Sequence, residues 1–186
     1  RKMGDAGLLG TNIPEEYGGQ PGDWVSLGIV IEELAKADLV AGLCPLLPNL
    51  ACLALKESTE ELRKEWLPPL IRGEKVGCFA VTEPDCGSDA ASINMMAVKD
   101  GDYYTLNGEK TSITFGMVAD GAIMFAKTAP AAGARGVSCF LVPLNLPGIT
   151  KYRFADMGFK PVGRASLIME DVQLPSKYRL GEEGKG

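Results

Sequence analysis

The stretch Cys78-Phe79-Ala80-Val81-Thr82-Glu83-Pro84-Asp85-Cys86-Gly87-Ser88-Asp89 passes from an apolar run, through a proline, into a small polar loop. With residues 77–82 as a strand, side chains alternate between its faces. Phe79, Val81 and Glu83 then share one face, and Ala80 and Thr82 the other. An apolar wall beside free backbone groups at a strand end suits a flat cofactor that carries a phosphate. Gly87 lets the backbone approach closely, and Ser88 adds a hydroxyl and an N–H that a phosphate or carbonyl oxygen can use. The same residues also read as a plain strand and turn, with Glu83 bonding backbone groups of its own turn.

A second stretch, Leu106-Asn107-Gly108-Glu109-Lys110-Thr111-Ser112-Ile113-Thr114, reads as a strand, a tight Asn-Gly turn and a returning strand. Thr114 follows apolar Ile113 just as Thr82 follows Val81. Val81 and Ile113 read equally as core residues, and the threonines as ordinary strand residues. The chain has no histidine, so Ser-His and Cys-His catalytic arrangements are excluded. Its five cysteines, at 44, 52, 78, 86 and 139, form no C-x-x-C pair and make a poor zinc site, so no metal is expected. Their odd number and apolar neighbours point to reduced thiols in an intracellular protein, with Cys86 as a small residue filling a turn. Nothing in the spacing of the acidic residues marks one as a catalytic acid or base.

The elements that position these stretches divide near residue 75. Before it the pattern is helical. Asp23 is an N-cap for a helix to about Leu39, with Leu27, Val30, Ile31 and Leu34 at helical spacing. A second helix is expected over about 49–57, with Pro45, Pro48 and Asn49 making its entry irregular. A third starts at the Ser58/Thr59 cap, carries Leu62 and Trp66 on one face, and must kink or stop at Pro68-Pro69. Residues 1–9 read as the end of a helix closed by Gly10. The glycines at 4, 7 and 10 have the wrong spacing for a dinucleotide fingerprint. After Lys75 the expected strands are 77–82, 92–99, 103–106, 110–114, 121–128, 137–143 and 166–172, with a hairpin loop at 129–135. The fold class is therefore α+β: a helical segment (1–75) followed by an antiparallel β-sandwich or barrel (76–186).

At 186 residues, 46% hydrophobic and 23% charged, the chain can bury one good core or a core and part of a second. Its net charge of −5, with no basic cluster, argues against nucleic-acid binding. No apolar run is long enough for a membrane span, and no signal-peptide pattern opens the chain.

Taken together, VTEPDCGSDAAS at 81–92 and LNGEKTSIT at 106–114 resemble the acyl-CoA dehydrogenase family of flavoproteins. So do NIPEEYGG at 12–19, the segment from Thr59 through Trp66-Leu67-Pro68-Pro69-Leu70 to Gly73-Glu74-Lys75, and EDVQLP with LGEEGKG near the end. The resemblance is collinear over nearly the whole chain. It implies a FAD-dependent oxidoreductase that removes hydrogens from Cα and Cβ of an acyl-CoA thioester, a carboxylate taking the α-proton and flavin N5 the β-hydride. By resemblance, Phe79, Val81 and Thr82 line the isoalloxazine. Gly87 and Ser88 approach the cofactor pyrophosphate, and Ser88 also reaches the acyl-CoA. Ser112, Ile113 and Thr114 pack on the other side, Thr114 near N5. The family's catalytic base belongs to a C-terminal helical bundle expected to lie outside this chain, so no catalytic residue is assigned here, and the chain alone is expected to be inactive.

The partners implied are acyl-CoA, an electron-transferring flavoprotein and identical subunits (a tetramer by resemblance). The compartment implied is the cytoplasm, or the mitochondrial matrix in a eukaryote. Rival readings are an oxygen-using, acyl-CoA oxidase-like flavoenzyme and a non-catalytic binding or assembly piece. Three positions depart from the family pattern: Ser112 replaces the usual tryptophan, Phe115 the common asparagine, and Pro161-Val162 a frequent Gly-Ser. A small residue at 112 leaves room for a bulky or alicyclic acyl group.

Overall fold

The computed structural model describes residues 1–186, which form two compact units, Arg1–Gly77 and Cys78–Gly186. The first is helical, with α1 (Lys2–Asp5), α2 (Trp24–Ala37), α3 (Leu39–Leu55) and α4 (Glu60–Ile71). The Asp23 carboxylate accepts from the Ser26 amide at 2.8 Å and so caps α2, satisfying one of the free amides of its first turn. Thr59 caps α4 in the same way, accepting from the Leu62 amide.

Three helical expectations need correction. The opening helix stops at Asp5, because Gly7 turns left-handed at φ +76° before Gly10 is reached. Helix α3 begins at Leu39, ten positions earlier than the start near 49 that Pro45, Pro48 and Asn49 suggest. Asp38 caps it by accepting from the Val40 amide at 2.7 Å, and the helix runs through Pro45 and Pro48. Gly42 brings it against α2: a Cβ there would lie 2.9 Å from the Ala35 Cβ. Helix α4 likewise continues through Pro68-Pro69 to Ile71. Leu62, Trp66, Leu67, Leu70 and Ile71 are all buried, so packing on that face outweighs the lost amide donors. The Pro68 and Pro69 carbonyls accept from Arg72 and Glu74 at 3.0 and 2.8 Å, which closes the last turn.

The second unit is an eight-stranded sheet. Its strands are β1 (Gly77–Ala80), β2 (Met96–Asp100), β3 (Tyr103–Ile113), β4 (Gly121–Lys127), β5 (Val137–Pro143), β6 (Ile149–Arg153), β7 (Ala165–Pro175) and β8 (Arg179–Leu180). The order is β6-β7-β3-β2-β4-β5-β8, with β1 beside β4. Pairings in that order are antiparallel except for a parallel contact of β2 with β4 at Met96 and Lys127. Ala80, Leu106, Met124, Phe140, Leu167 and Val172 are fully enclosed and form the apolar interior, each large side chain contributing roughly 1.5–3 kcal/mol. The molecule is thus α+β, helical first and β second. None of its helices is long and apolar enough to cross a membrane.

The expected Asn107-Gly108 hairpin is absent. Residues 103–113 form one strand that pairs along its length with β7, and the irregularity is absorbed as a bulge between Leu106 and Gly108. The Asn107 side chain donates to Asp171 Oδ1 at 3.0 Å and accepts from the Asp171 amide at 2.9 Å, locking the bulge to its partner strand. Gly108, at φ +140°, lies so close to the chain entering β2 that a Cβ would stand 3.0 Å from Met95 Cα.

Candidate functional site

The first chemistry-bearing segment leaves β1 after Ala80. Val81 and Thr82 follow half-buried, and the backbone then closes on itself: Glu83 N donates to Cys86 O at 2.9 Å and Cys86 N to Glu83 O at 3.2 Å. These bonds leave the exposed Gly87 and Ser88 amides without a protein acceptor. The loop folds back toward the strand end, since a Cβ on Gly87 would lie 3.9 Å from Thr82 Cγ2. Phe79 is half-buried and meets Phe125 edge-on, with ring centroids 5.5 Å apart.

The second segment lies directly alongside the first. Thr111 N donates to Thr82 O at 2.8 Å, and Lys110 Nζ donates to Val81 O at 2.9 Å. Beyond that contact the strand bends: Ser112 is left-handed at φ +59° and Phe115 at φ +60°. Ser112 is therefore turned outward and exposed, with Arg164 Nη1 at a long 3.4 Å from its hydroxyl. Arg164 is held by Asp156, whose carboxyl it keeps below the ordinary carboxylate range by hydrogen bonding. Thr114 is half-buried. Ile113 is 2% exposed, so its side chain belongs to the interior beneath the segment.

Phe79, Val81, Thr82, Ser112 and Thr114 thus come from two segments joined by direct hydrogen bonds, with Gly87 and Ser88 on the loop that returns to Thr82. The donor set has the chemistry a flavin dinucleotide requires. Half-buried apolar side chains suit a flat ring, threonine hydroxyls suit its polar edge, and two unengaged loop amides with a serine hydroxyl suit phosphate oxygens.

Two residues of the arrangement were not picked out as a pair by residue type. Lys110 is fully enclosed, and its ammonium meets Glu83 Oε1 at 2.8 Å, where the glutamate side chain is 5% exposed. Burial pulls the lysine below its ordinary value while Glu83 pulls it back up. The Glu83 carboxylate also accepts from the amides of Asn94 and Met95. Its role is structural, but it reaches eleven and twelve residues along the chain instead of closing its own turn. The available signal was alternation: Tyr104, Leu106 and Lys110 fall on the inward side of one strand, and an inward lysine needs a buried acid.

In the helical unit a cleft of about 230 Å³ is lined by Pro14, Tyr17, Cys52, Lys56, Glu60 and Arg63, among others. Much of its polar lining is already paired: Tyr17 donates to Glu60, and Arg63 bonds Glu60 and the Lys56 carbonyl.

Residues 1–74 match the N-terminal domain of acyl-CoA dehydrogenase, and residues 78–172 match its middle domain. The CarC subunit of the caffeyl-CoA reductase-Etf complex of Acetobacterium woodii is 41% identical over 188 residues, spanning 100% of this chain and 50% of that protein. The mitochondrial short-chain specific acyl-CoA dehydrogenase of Homo sapiens is 38% identical, spanning 100% and 46%. A crystal structure of a glutaryl-CoA dehydrogenase from Mycobacterium smegmatis in complex with FADH2 superposes with a TM-score of 0.90 at 32% identity, covering 99% of this chain and 47% of that one. The chain spans about half the length of the curated relatives it matches. With both domains matched in sequence order and in fold, the chain belongs to the acyl-CoA dehydrogenase family, of which it carries the N-terminal and middle domains.

Proposed function

We propose that this chain supplies the flavin- and thioester-binding part of an enzyme that carries out FAD-dependent α,β-dehydrogenation of an acyl-CoA thioester. The observation that carries this reading is the 2.8 Å bond from Thr111 N to Thr82 O, which places the two motif segments side by side. Phe79, Val81 and Thr82 line one side of the ring site, and Ser112 and Thr114 the other, with Ile113 packed beneath. The Gly87 and Ser88 amides take phosphate oxygens, and Ser88 also meets the acyl-CoA. FAD, when bound, supplies the two-electron acceptor. Hydroxyl and amide donors at Thr82 and Thr114 favour negative charge at the polar edge of the ring. The proton-removing carboxylate is assigned to the family's C-terminal helical domain and to none of the acids here.

The proposed acceptor is an electron-transferring flavoprotein, in keeping with a relative that is a subunit of an Etf complex. A homo-oligomer and a reducing compartment, cytoplasm or matrix, complete the reading; all five cysteines are free thiols. The acyl group is proposed to be bulky, cyclic or aryl. Ser112 is small and exposed, and a relative at 41% identity is named for caffeyl-CoA. The test is anaerobic mixing of the full-length flavoprotein with saturated thioesters. Bleaching of the flavin by a cyclic or aryl-propionyl thioester, faster than by butyryl-CoA, is expected. No bleaching by any thioester would reject the dehydrogenase reading, and preference for butyryl-CoA would reject the bulky substrate.

A further inference from the structure

The Lys110–Glu83 pair is a single buried junction for three segments of the β unit. From β3, Lys110 Nζ reaches across to Val81 O at 2.9 Å and to Glu83 Oε1 at 2.8 Å. From the loop after β1, the Glu83 carboxylate gathers the amides of Asn94 and Met95, which precede β2. The span from Glu83 to Asn94 contains Gly87 and Ser88, so both ends of that loop are tied to one carboxylate. The lysine's other bond holds the carbonyl of Val81, next to Thr82. An ordinary core would not enclose an ammonium and a carboxylate here. Burying ions is unfavourable unless each is paired and hydrogen-bonded, and apolar residues of similar size are often as stable or more so. What the pair provides beyond packing is direction: its bonds fix particular backbone atoms, and those atoms flank the residues assigned above to the ring and the phosphates.

We infer that Lys110 and Glu83 are positioning residues for the flavin site, holding Val81-Thr82 and the Gly87-Ser88 loop in their binding geometry without touching the cofactor. This rests on the flavin reading of Proposed function.

The experiment uses the full-length protein and compares wild type with K110M, E83D and the double variant K110M/E83Q. FAD affinity, the shape of the bound-flavin visible spectrum and thermal stability are measured for each. K110M alone should lower both stability and affinity, because it strands a buried carboxylate. K110M/E83Q removes both charges, so its melting temperature should return toward wild type while FAD binding stays at least tenfold weaker and the flavin spectrum stays altered. E83D keeps the charge but draws it back from the Asn94 and Met95 amides and from Lys110, which shares Oε1 with Met95, so it should weaken FAD binding several-fold, alter the flavin spectrum and lower the melting temperature. It decides the matter if the double variant does not fold. Wild-type affinity and spectrum in a folded double variant, or in E83D, would overturn the inference while leaving the flavin reading intact. A wild-type protein that binds no FAD would instead overturn the flavin reading and this inference with it.

Discussion

Lys110 Nζ lies 2.8 Å from Glu83 Oε1, joining the two segments that carry the family's motifs through an ion pair sealed from solvent at the lysine. Removing one partner leaves the other buried without its counter-charge. Lys110→Ala is expected to cost about 3–5 kcal/mol of stability, measured by urea unfolding. A loss below about 1 kcal/mol would show that the pair is not a closed, dry contact.

Gly108 is required for a different reason. Its φ is +140°, and a Cβ added there would stand 3.0 Å from Met95 Cα, so a side chain fits only in a strained backbone conformation and with the Met95 backbone giving way by a few tenths of an ångström. Gly108→Ala should destabilise the β unit by more than about 1 kcal/mol, since both the backbone conformation and a rigid neighbour oppose it. An unchanged melting temperature would mean the bulge can shift.

Ser112 bears on substrate choice. It is exposed, and its neighbours Thr111 and Ile113 are fixed by Thr82 O and by pairing with Ala165. Ser112→Trp in the full-length enzyme should lower kcat/KM for a cyclic or aryl thioester at least tenfold relative to butyryl-CoA. An unaltered ratio would detach residue 112 from acyl selection.

Alkaline pH gives a further check. Burial pushes the Cys78 and Cys139 thiols up from an ordinary 9.0 to about 12. In the unfolded chain these thiols ionise first, so the unfolded state loses protons earlier and stability falls as pH rises from 9.0 toward about 12. Their contribution is fully present below 9.0. The double variant C78A/C139A should show a shallower decline in chemical-denaturation midpoints across that range, and an identical slope would count against the burial of these thiols.

Helix caps and strand alternation were legible because they are local. Asp23 and Thr59 cap where their side-chain chemistry says they should. The Asn107-Gly108 turn failed because β7 offers a continuous partner along residues 165–175, and long-range pairing outweighs a dipeptide's turn preference. The start of helix α3 is not legible locally, because prolines in its interior argue against a helix, whereas Asp38 starts it and close packing of Gly42 on α2 sustains it. The short strands β6 and β8 carry weak patterns and exist as partners of β7 and β5. In the site, residue types named the loop and the threonines. The Lys110–Glu83 contact spans 27 positions, and only the three-dimensional pairing reveals it.

The central claim is that residues 79–82 and 111–114, joined side by side, together line the ring site of a flavin. A crystal structure of the full-length protein with FAD tests it most directly. The isoalloxazine should rest against Val81, Thr82 and Thr114, with the pyrophosphate at the Gly87 and Ser88 amides. A flavin seated elsewhere in the β unit, with those residues facing only solvent, would contradict the account.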